Sequence, residues 1–175
     1  MKKLLIFLFS ILLITGCNNA SSPRSEVEKL FLNYNSLNSE LLIQLDSVMS
    51  IENLTESQKL KYKEILKKQY EDLKYKITNE VISGDNAIVN VEIEVYNLVK
   101  AINDSDDYLR YNKDEFYNDG NFNNKKFWDY KLNKMSDINE RVKYTLDLSL
   151  TKIDDKWHLD ELLESDRQKI HGLYS

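Results

Sequence analysis

Scarce residues set the first limits on this 175-residue chain, which contains one cysteine, one proline, four glycines and two histidines. With a single cysteine no disulfide can form within the chain, so the fold must be stabilised by its core. Two histidines and one cysteine are also too few for a structural zinc site. The four glycines form no glycine-rich loop of the kind that cradles phosphate groups.

A long hydrophobic run is also missing. The apolar run at residues 4–14 contains eleven residues, interrupted only by Ser10. Eleven helical residues rise about 1.5 Å each, far short of a hydrocarbon core of about 30 Å. Lys2 and Lys3 precede the run and the small residues Thr15 and Gly16 follow it, which is the order of a secretory signal peptide. We therefore expect residues 1–16 to be a signal peptide rather than a membrane span.

The single cysteine stands where that signal peptide should be cleaved. Ile14-Thr15-Gly16-Cys17 resembles a bacterial lipobox, with an aliphatic residue, a small residue and then the cysteine that is lipidated. The resemblance implies that Cys17 carries a diacylglyceryl thioether and anchors the chain on the extracytoplasmic face of the cell membrane. Two acyl chains give stable anchoring, whereas one does not. The alternative is an incidental cysteine behind an ordinary signal peptide.

An excess of basic residues is absent as well. Removal of residues 1–16 would take away Lys2 and Lys3, leaving 22 basic residues against 29 acidic ones and a formal charge of −7. This balance disfavours a nucleic-acid partner, which would need a basic footprint. It also disfavours electrostatic adhesion to anionic lipid. The expected partners are the membrane, through lipid on Cys17, and an unknown protein or small-molecule ligand.

Beyond a polar tether at residues 17–24, which contains the only proline, the pattern predicts one domain at residues 25–175. Ser25 and Thr55 each begin a segment with the spacing of a capping box. Apolar residues at helical spacing follow both segments, which predicts two amphipathic helices. The first face contains Val27, Leu30, Phe31, Tyr34, Leu37, Leu41, Leu45 and Val48, and the second contains Tyr62, Ile65, Leu66, Tyr70 and Leu73.

Two segments alternate with a period of two, as half-buried strands do. The first, at residues 87–95, follows the turn Ser83-Gly84-Asp85-Asn86 and would pair with residues 75–82. The second, at residues 144–151, precedes an Asp154-Asp155 turn and would pair with residues 156–163. Trp157 is expected on the core side of that last strand. Two helices followed by an antiparallel sheet predict an α+β domain with the helices on one sheet face.

Residues 104–137 separate the two hairpins and are unusually aromatic. Eight aromatic residues fall between positions 108 and 130, too many for a solvated linker. We expect a helix capped by Ser105 that ends near Tyr117, a turn at residues 118–121, and a second helix from Asn123 to about Met135. The segment would be either a packed helical hairpin or a binding surface. Its inward stripe would be Trp128, Leu132 and Met135, and its candidate exposed contacts are Tyr111 and Tyr130.

The C-terminal third resembles a known group of proteins. The stretch YTLDLSLTKIDDKWHLDEL, then SDRQKIHGLY, is similar to the end of small bacterial lipoproteins of the nuclear transport factor 2-like and lumazine-binding-like type. The resemblance implies a curved sheet wrapped around helices, sometimes with a pocket between them. That superfamily includes enzymes and binding proteins, so the fold does not decide the function. The long insertion at residues 104–137 departs from its pattern.

Three polar constellations are candidate sites. His158 and Asp160 alternate on the last predicted strand, with Asp147 on its neighbour, and a histidine beside a carboxylate is a common acid/base pair. Glu92 and Glu94 share one strand face. For both sets a solvated sheet face is the favoured interpretation. Six acidic residues of the insertion suggest calcium, namely Asp104, Asp106, Asp107, Asp114, Glu115 and Asp119, but they fail the EF-hand register, so no metal and no cofactor are expected.

The leading interpretation is a membrane-anchored lipoprotein that acts without catalysis, as a ligand-binding or protein-interaction module with no catalytic residues. The alternative is a lipid-anchored hydrolase or isomerase with a polar pocket under the curved sheet, to which Asp147, His158 and Asp160 would contribute. An empty, polar space between the first two helices and the sheet would favour the enzyme. A filled, apolar space would favour the binding module.

Overall fold

A computed structural model describes residues 21–43, 45 and 54–175. The predicted signal peptide and Cys17 lie outside the described residues, as does Val48. The helices are α1 (Pro23–Asn35), α2 (Glu56–Glu71), α3 (Leu98–Tyr111), α4 (Asn124–Asp137) and α5 (Glu164–His171). The strands are β1 (Lys74–Ser83), β2 (Asn86–Tyr96), β3 (Tyr117–Asn118), β4 (Asn121–Phe122), β5 (Arg141–Ile153) and β6 (Lys156–Leu159). The predicted α+β class with an antiparallel sheet is confirmed.

The main sheet has the strand order β1-β2-β5-β6, with every neighbouring pair antiparallel. Its two hairpins turn where the sequence predicts, at Gly84 and at Asp154-Asp155, all with positive φ. Strand β6 ends at Leu159 instead of continuing to residue 163, because the Asp160 amide makes a last bond to the Ser149 carbonyl and α5 begins soon afterwards. A bulge between Ile77 and Asn79 shifts the register of β1.

One face of this sheet forms the core with α1 and α2. Alternate residues of β2 and β5 are fully or nearly fully buried and pack with the apolar faces of both helices. The space between the first two helices and the sheet is therefore filled by apolar side chains. Trp157 is 8% exposed on the core side of β6, as predicted. The main buried members are Val27, Phe31, Ile65, Leu66, Tyr70, Val89, Val91, Ile93, Val95, Leu146, Leu148 and Leu150.

Helix α1 begins earlier than predicted. Ser22, not Ser25, is the N-cap, and Ser25 occupies the third helical position of a capping box made by these two serines. Pro23 stands at the first turn, where its missing N–H costs nothing. The predicted tether thus overlaps the helix at Pro23 and Arg24.

The continuous helical face predicted from Val27 to Val48 is interrupted. Helix α1 ends at Asn35, and Leu37 has a φ of 50°. Residues 39–43 and 45 are helical again, and the Asn38 side chain accepts the Leu41 amide at 2.9 Å as a new cap. The helical spacing of apolar residues continues across residues 36–38 because the segments on both sides of this turn pack against the same core.

The helical insertion begins earlier than residue 104. The side chain of Asn97, not Ser105, caps α3, and α3 ends at Tyr111 rather than Tyr117. Ser105 is buried inside the helix and donates to the Ala101 carbonyl at 2.7 Å. A short 3-10 turn (Lys113–Glu115) and the β3–β4 hairpin follow, and the side chain of Asn123 caps α4. Leu132 and Met135 are buried as predicted, and Trp128 is half-buried.

Candidate functional site

A cleft opens between α2 and the C-terminal end of α4, where β2 passes into α3. Its volume is about 300 Å³. The buried residues Ile65, Leu98 and Met135 form its apolar floor. The remaining lining residues are Lys61, Glu64, Lys68, Tyr96, Ser136 and Ile138. A concave apolar floor with a few polar groups around it is the usual form of a small-ligand site, and this volume lies at the lower end of the usual range of about 300–1,000 Å³.

Polar contacts between α2 and α4 fix the width of the cleft. Gln58 is buried, and its Nε2 donates to Asp129 Oδ1 at 2.8 Å and to the Lys125 carbonyl at 3.0 Å. The hydrogen bond from Lys125 lowers the pKa of Asp129 most, and the hydrogen bond from Gln58 lowers it further. One turn further along α2, Lys61 donates to the side-chain oxygen of Asn133. These contacts join the first half of α2 to residues 125–133 of α4, and the cleft lies beyond them, towards the C-terminal ends of both helices.

Tyr96 forms one wall and is held on several sides. The Lys68 ammonium lies 5.1 Å from the centre of its ring, and the Arg141 guanidinium carbon lies 4.5 Å from that centre. Its hydroxyl donates to Asp72 Oδ2 at 2.7 Å, and this hydrogen bond raises the pKa of Tyr96. Its backbone N–H donates to Gln69 Oε1 at 2.9 Å. The aromatic wall is therefore rigid, with basic groups beside it.

The rim of the cleft is mainly basic. Lys61 and Lys68 are seven residues apart on α2, so they lie about two helical turns apart along the same face. Glu64, the carboxylate between them, is paired with Lys67 at 2.8 Å. Among the described residues that line the cleft there is no histidine or cysteine. The arrangement suits an apolar body that carries an anionic group, which would contact the lysines.

The aromatic residues of the insertion pack mostly against one another. Phe116 is 1% exposed, and the rings of Phe127 and Tyr130 contact it edge-on with centroid distances of 5.3 and 5.6 Å. Tyr130 also stacks on Tyr108 at 4.8 Å and is half-buried, so it offers less surface than predicted. Tyr111 is 86% exposed. A contact role for either tyrosine stays a prediction.

Sequence reasoning missed the aromatic pair of the small hairpin. Tyr117 and Phe122 are cross-strand partners in β3–β4, with ring centroids 5.4 Å apart, and both are exposed. The signal was available, because two aromatic residues flank the Asn118-Asp119-Gly120-Asn121 turn symmetrically.

The structure does not assemble Asp147, His158 and Asp160 into one site. His158 is opposite Thr151 in the register, which puts it four residues, or about 13 Å, along the sheet from Asp147. Asp147 accepts a hydrogen bond from Asn90 at 2.5 Å, and Asp160 lies next to Ser149. Asp147 and Asp160 line a shallow cleft of only about 90 Å³. His158 is too far from Asp147 for the two to act as an acid/base pair.

Five of the eight other acidic candidates are paired with basic groups. Glu92 lies 3.1 Å from Lys143, and Glu94 lies 3.2 Å from Lys74 and 3.0 Å from Arg141. The hydrogen bond from Lys74 lowers the pKa of Glu94. In the insertion, Asp104, Asp106 and Asp107 pair with Lys100, Lys131 and Arg110. Within residues 21–43, 45 and 54–175, no group of three histidine, cysteine or acidic residues is placed to hold a metal ion.

No helix in the described part of the chain is long and apolar enough to cross a membrane. Comparisons with protein-family models, with curated proteins and with solved structures find no match to this chain.

Proposed function

We propose that this protein is a bacterial lipoprotein, anchored through Cys17 on the extracytoplasmic face of the membrane, that binds a small amphipathic anion without catalysis. The cleft between α2 and α4 is the observation that carries the binding role. The anchor rests on the sequence around Cys17, where a thiol stands directly after Ile14-Thr15-Gly16. We also propose that the sheet curves around its helices in the manner of the nuclear transport factor 2-like proteins, since α1 and α2 cover a single face.

The filled core supports a binding module rather than an enzyme. An enzyme with a pocket under the sheet would need free polar groups between the helices and the sheet, but the residues there are mainly aliphatic and aromatic, and the buried Gln69 is hydrogen-bonded to the backbone of Tyr96. The histidine and carboxylates of the alternative site lie on the opposite, solvated face. Asp147, His158 and Asp160 are not assembled in the way that a hydrolase or an isomerase would need.

The ligand class follows from the lining of the cleft. Ile65, Leu98 and Met135 would contact an apolar body, while Lys61 and Lys68 would contact a carboxylate, sulfonate or phosphate group. The protein as a whole is acidic, so a local pair of lysines beside an apolar floor is the feature that selects an anion.

A fluorescence titration with anilinonaphthalene sulfonate, an apolar anion, tests this assignment. Lys61→Gln and Lys68→Gln should each weaken binding about fivefold, because a partly exposed ion pair contributes up to about 1 kcal/mol. Lys29→Gln on α1 is the matched control, since Lys29 is equally charged, exposed and outside the cleft. Equal affinity of all three variants and the wild type would contradict the cleft as the binding site.

The anchor has its own test. Cys17→Ser should leave the precursor uncleaved or release the protein from membranes, because serine cannot form the thioether. The measurement is flotation of membranes in a density gradient together with the size of the processed chain. A Cys17→Ser protein that floats and is processed like the wild type would rule out the lipid anchor.

A further inference from the structure

The chain enters the folded domain at one end of the main sheet. The backbone N–H of Trp157 on β6 donates to Ser21 Oγ at 2.9 Å. Three residues later, the backbone N–H of Arg24 donates to Glu80 Oε1 on β1 at 3.1 Å. Residues 21–24 are therefore held against both outer strands of the sheet. The start of α1 has a fixed position relative to the sheet.

Both hairpin turns of the main sheet lie at this same end. Asn86 pairs with Thr151, and the Lys152 amide donates to the Asp85 carbonyl at 2.7 Å, so the turns are neighbours. We call residues 81–88 and 151–157 the turn end. Its aliphatic side chains are unusually exposed: Val81, Ile82 and Ile153 by 54% each and Ile88 by 47%.

We propose that the turn end rests on the lipid bilayer to which Cys17 is attached, an inference that depends on the proposed lipid anchor. Only four residue steps separate Cys17 from Ser21, and a fully extended chain covers at most about 3.6 Å per residue, or about 14 Å in all. Acyl chains on Cys17 place that residue at the membrane surface. Ser21 must then lie within about 14 Å of it, and Trp157, which is hydrogen-bonded to Ser21, lies beside that point together with the adjoining turns.

Charge and apolar surface at the turn end agree with this contact. The two turns carry Asp85, Asp154 and Asp155 against Lys152 and Lys156, a formal charge of −1. The chain after Cys17 as a whole carries a formal charge of −7. In this acidic molecule, the nearly neutral turn end with its exposed aliphatic side chains is repelled only weakly by anionic headgroups. Exposed aliphatic side chains would then be shielded from water among the headgroups.

The proposed orientation also places the binding cleft. Strand β2 runs from Asn86 at the turn end to Tyr96 at the cleft, ten residue steps or about 34 Å. With the turn end on the membrane, the cleft opens roughly 30 Å above the lipid surface. Its ligand would arrive from the aqueous side and not from within the bilayer.

Quenching by lipid tests the orientation on the full lipidated chain in vesicles of phosphatidylcholine and phosphatidylglycerol. Because a thioether blocks the thiol of Cys17, a single new cysteine can be labelled with a nitrobenzoxadiazole dye. Ile82→Cys and Ile153→Cys place the dye at the turn end, and Asn139→Cys places it at the opposite end, all at exposed positions. Spin-labelled lipid should quench the first two dyes severalfold more than the third.

A spacer variant and flotation separate the two proposals. Twenty glycine and serine residues inserted between Asn19 and Ala20 should leave flotation unchanged and reduce the quenching at Ile153→Cys. Equal quenching at the turn end and at Asn139→Cys in floating vesicles would overturn the orientation while leaving the anchor intact. Failure of the wild type to float would overturn the anchor and, with it, the orientation.

Discussion

His171, the last residue of α5, is half-buried against α2, where its Nδ1 atom lies 2.7 Å from the hydroxyl oxygen of Tyr70. Burial lowers the pKa of His171 from 6.5 to about 4, although the nearby Glu164 opposes the shift and Arg167 adds to it. Burial likewise raises the pKa of Tyr70. Both side chains are therefore neutral near pH 7, and their hydrogen bond joins the last helix to the core without a buried charge.

This histidine should make stability depend on pH between about 4 and 6.5. In that interval the unfolded chain binds a proton at His171 and the folded chain does not, so the free energy of unfolding falls as the pH falls. The full effect is at most about 3 kcal/mol for a shift of this size. Chemical denaturation of the wild type and of His171→Gln, at several pH values, measures it.

The free energy of unfolding should depend less steeply on pH in His171→Gln than in the wild type. Glutamine keeps a polar partner for Tyr70 but binds no proton. His158→Gln is the matched control, since His158 is the other histidine of the chain and lies exposed on β6. Carboxylates that titrate in the same pH interval contribute equally to all three proteins, so their contribution cancels when the pH profiles are compared. Parallel pH profiles for wild type and His171→Gln would show that His171 is protonated equally in the folded and unfolded chains.

Among the elements, those with strong local signals were predictable. Both main hairpins follow from period-two alternation and from turn residues that tolerate positive φ, such as Gly84. The capping box at Thr55 and Gln58 also marked its helix correctly. At α1 the spacing from Ser25 gave the wrong start, although Pro23, a residue favoured at the first helical position, marks Ser22 as the cap.

Helix α5 was missed because its sequence has little apolar periodicity. Of its eight residues, only Asp166 and Ile170 are buried. Its position depends on contacts that are distant in sequence, such as His171 with Tyr70 and the Ile170 carbonyl with Gln69 Nε2 at 3.4 Å. Its end requires Gly172, since a Cβ there would lie 2.2 Å from the Tyr96 carbonyl oxygen. Such contacts leave no pattern in a short stretch of sequence.

At the scale of the whole molecule, the cleft was unpredictable for the same reason. Its lining comes from α2, the end of β2, the start of α3 and the end of α4, segments that are remote from one another in the chain. Each segment taken alone is an ordinary amphipathic element. What could be predicted was the aromatic density of the insertion, and the structure shows that most of those rings pack against one another.

Stability should be distributed unevenly between the main sheet and the α3–α4 hairpin. The paired strands β2 and β5 carry the fully buried Val89, Val91 and Ile93, so their amides should exchange only when the whole domain unfolds. The α3–α4 hairpin has its own aromatic cluster around Phe116 and joins the remainder largely through α2. Its amides should be protected, but with a lower opening free energy, and Asp119 and Gly120 in its turn should exchange fast.

Hydrogen exchange on two matched variants checks whether the hairpin opens as a separate unit. Asp129→Ala removes the acceptor for the buried Gln58 amide, and Lys125→Ala removes only the ion pair of Asp129 with Lys125 on the surface of α4. Asp129→Ala should lower the opening free energy of α4 by about 1 kcal/mol more than Lys125→Ala does, because a buried donor loses one of its partners. Protection of β2 and β5 should change less than that of α4 in both variants. An equal loss of protection in α4 and in the central strands would mean that the hairpin and the sheet unfold together.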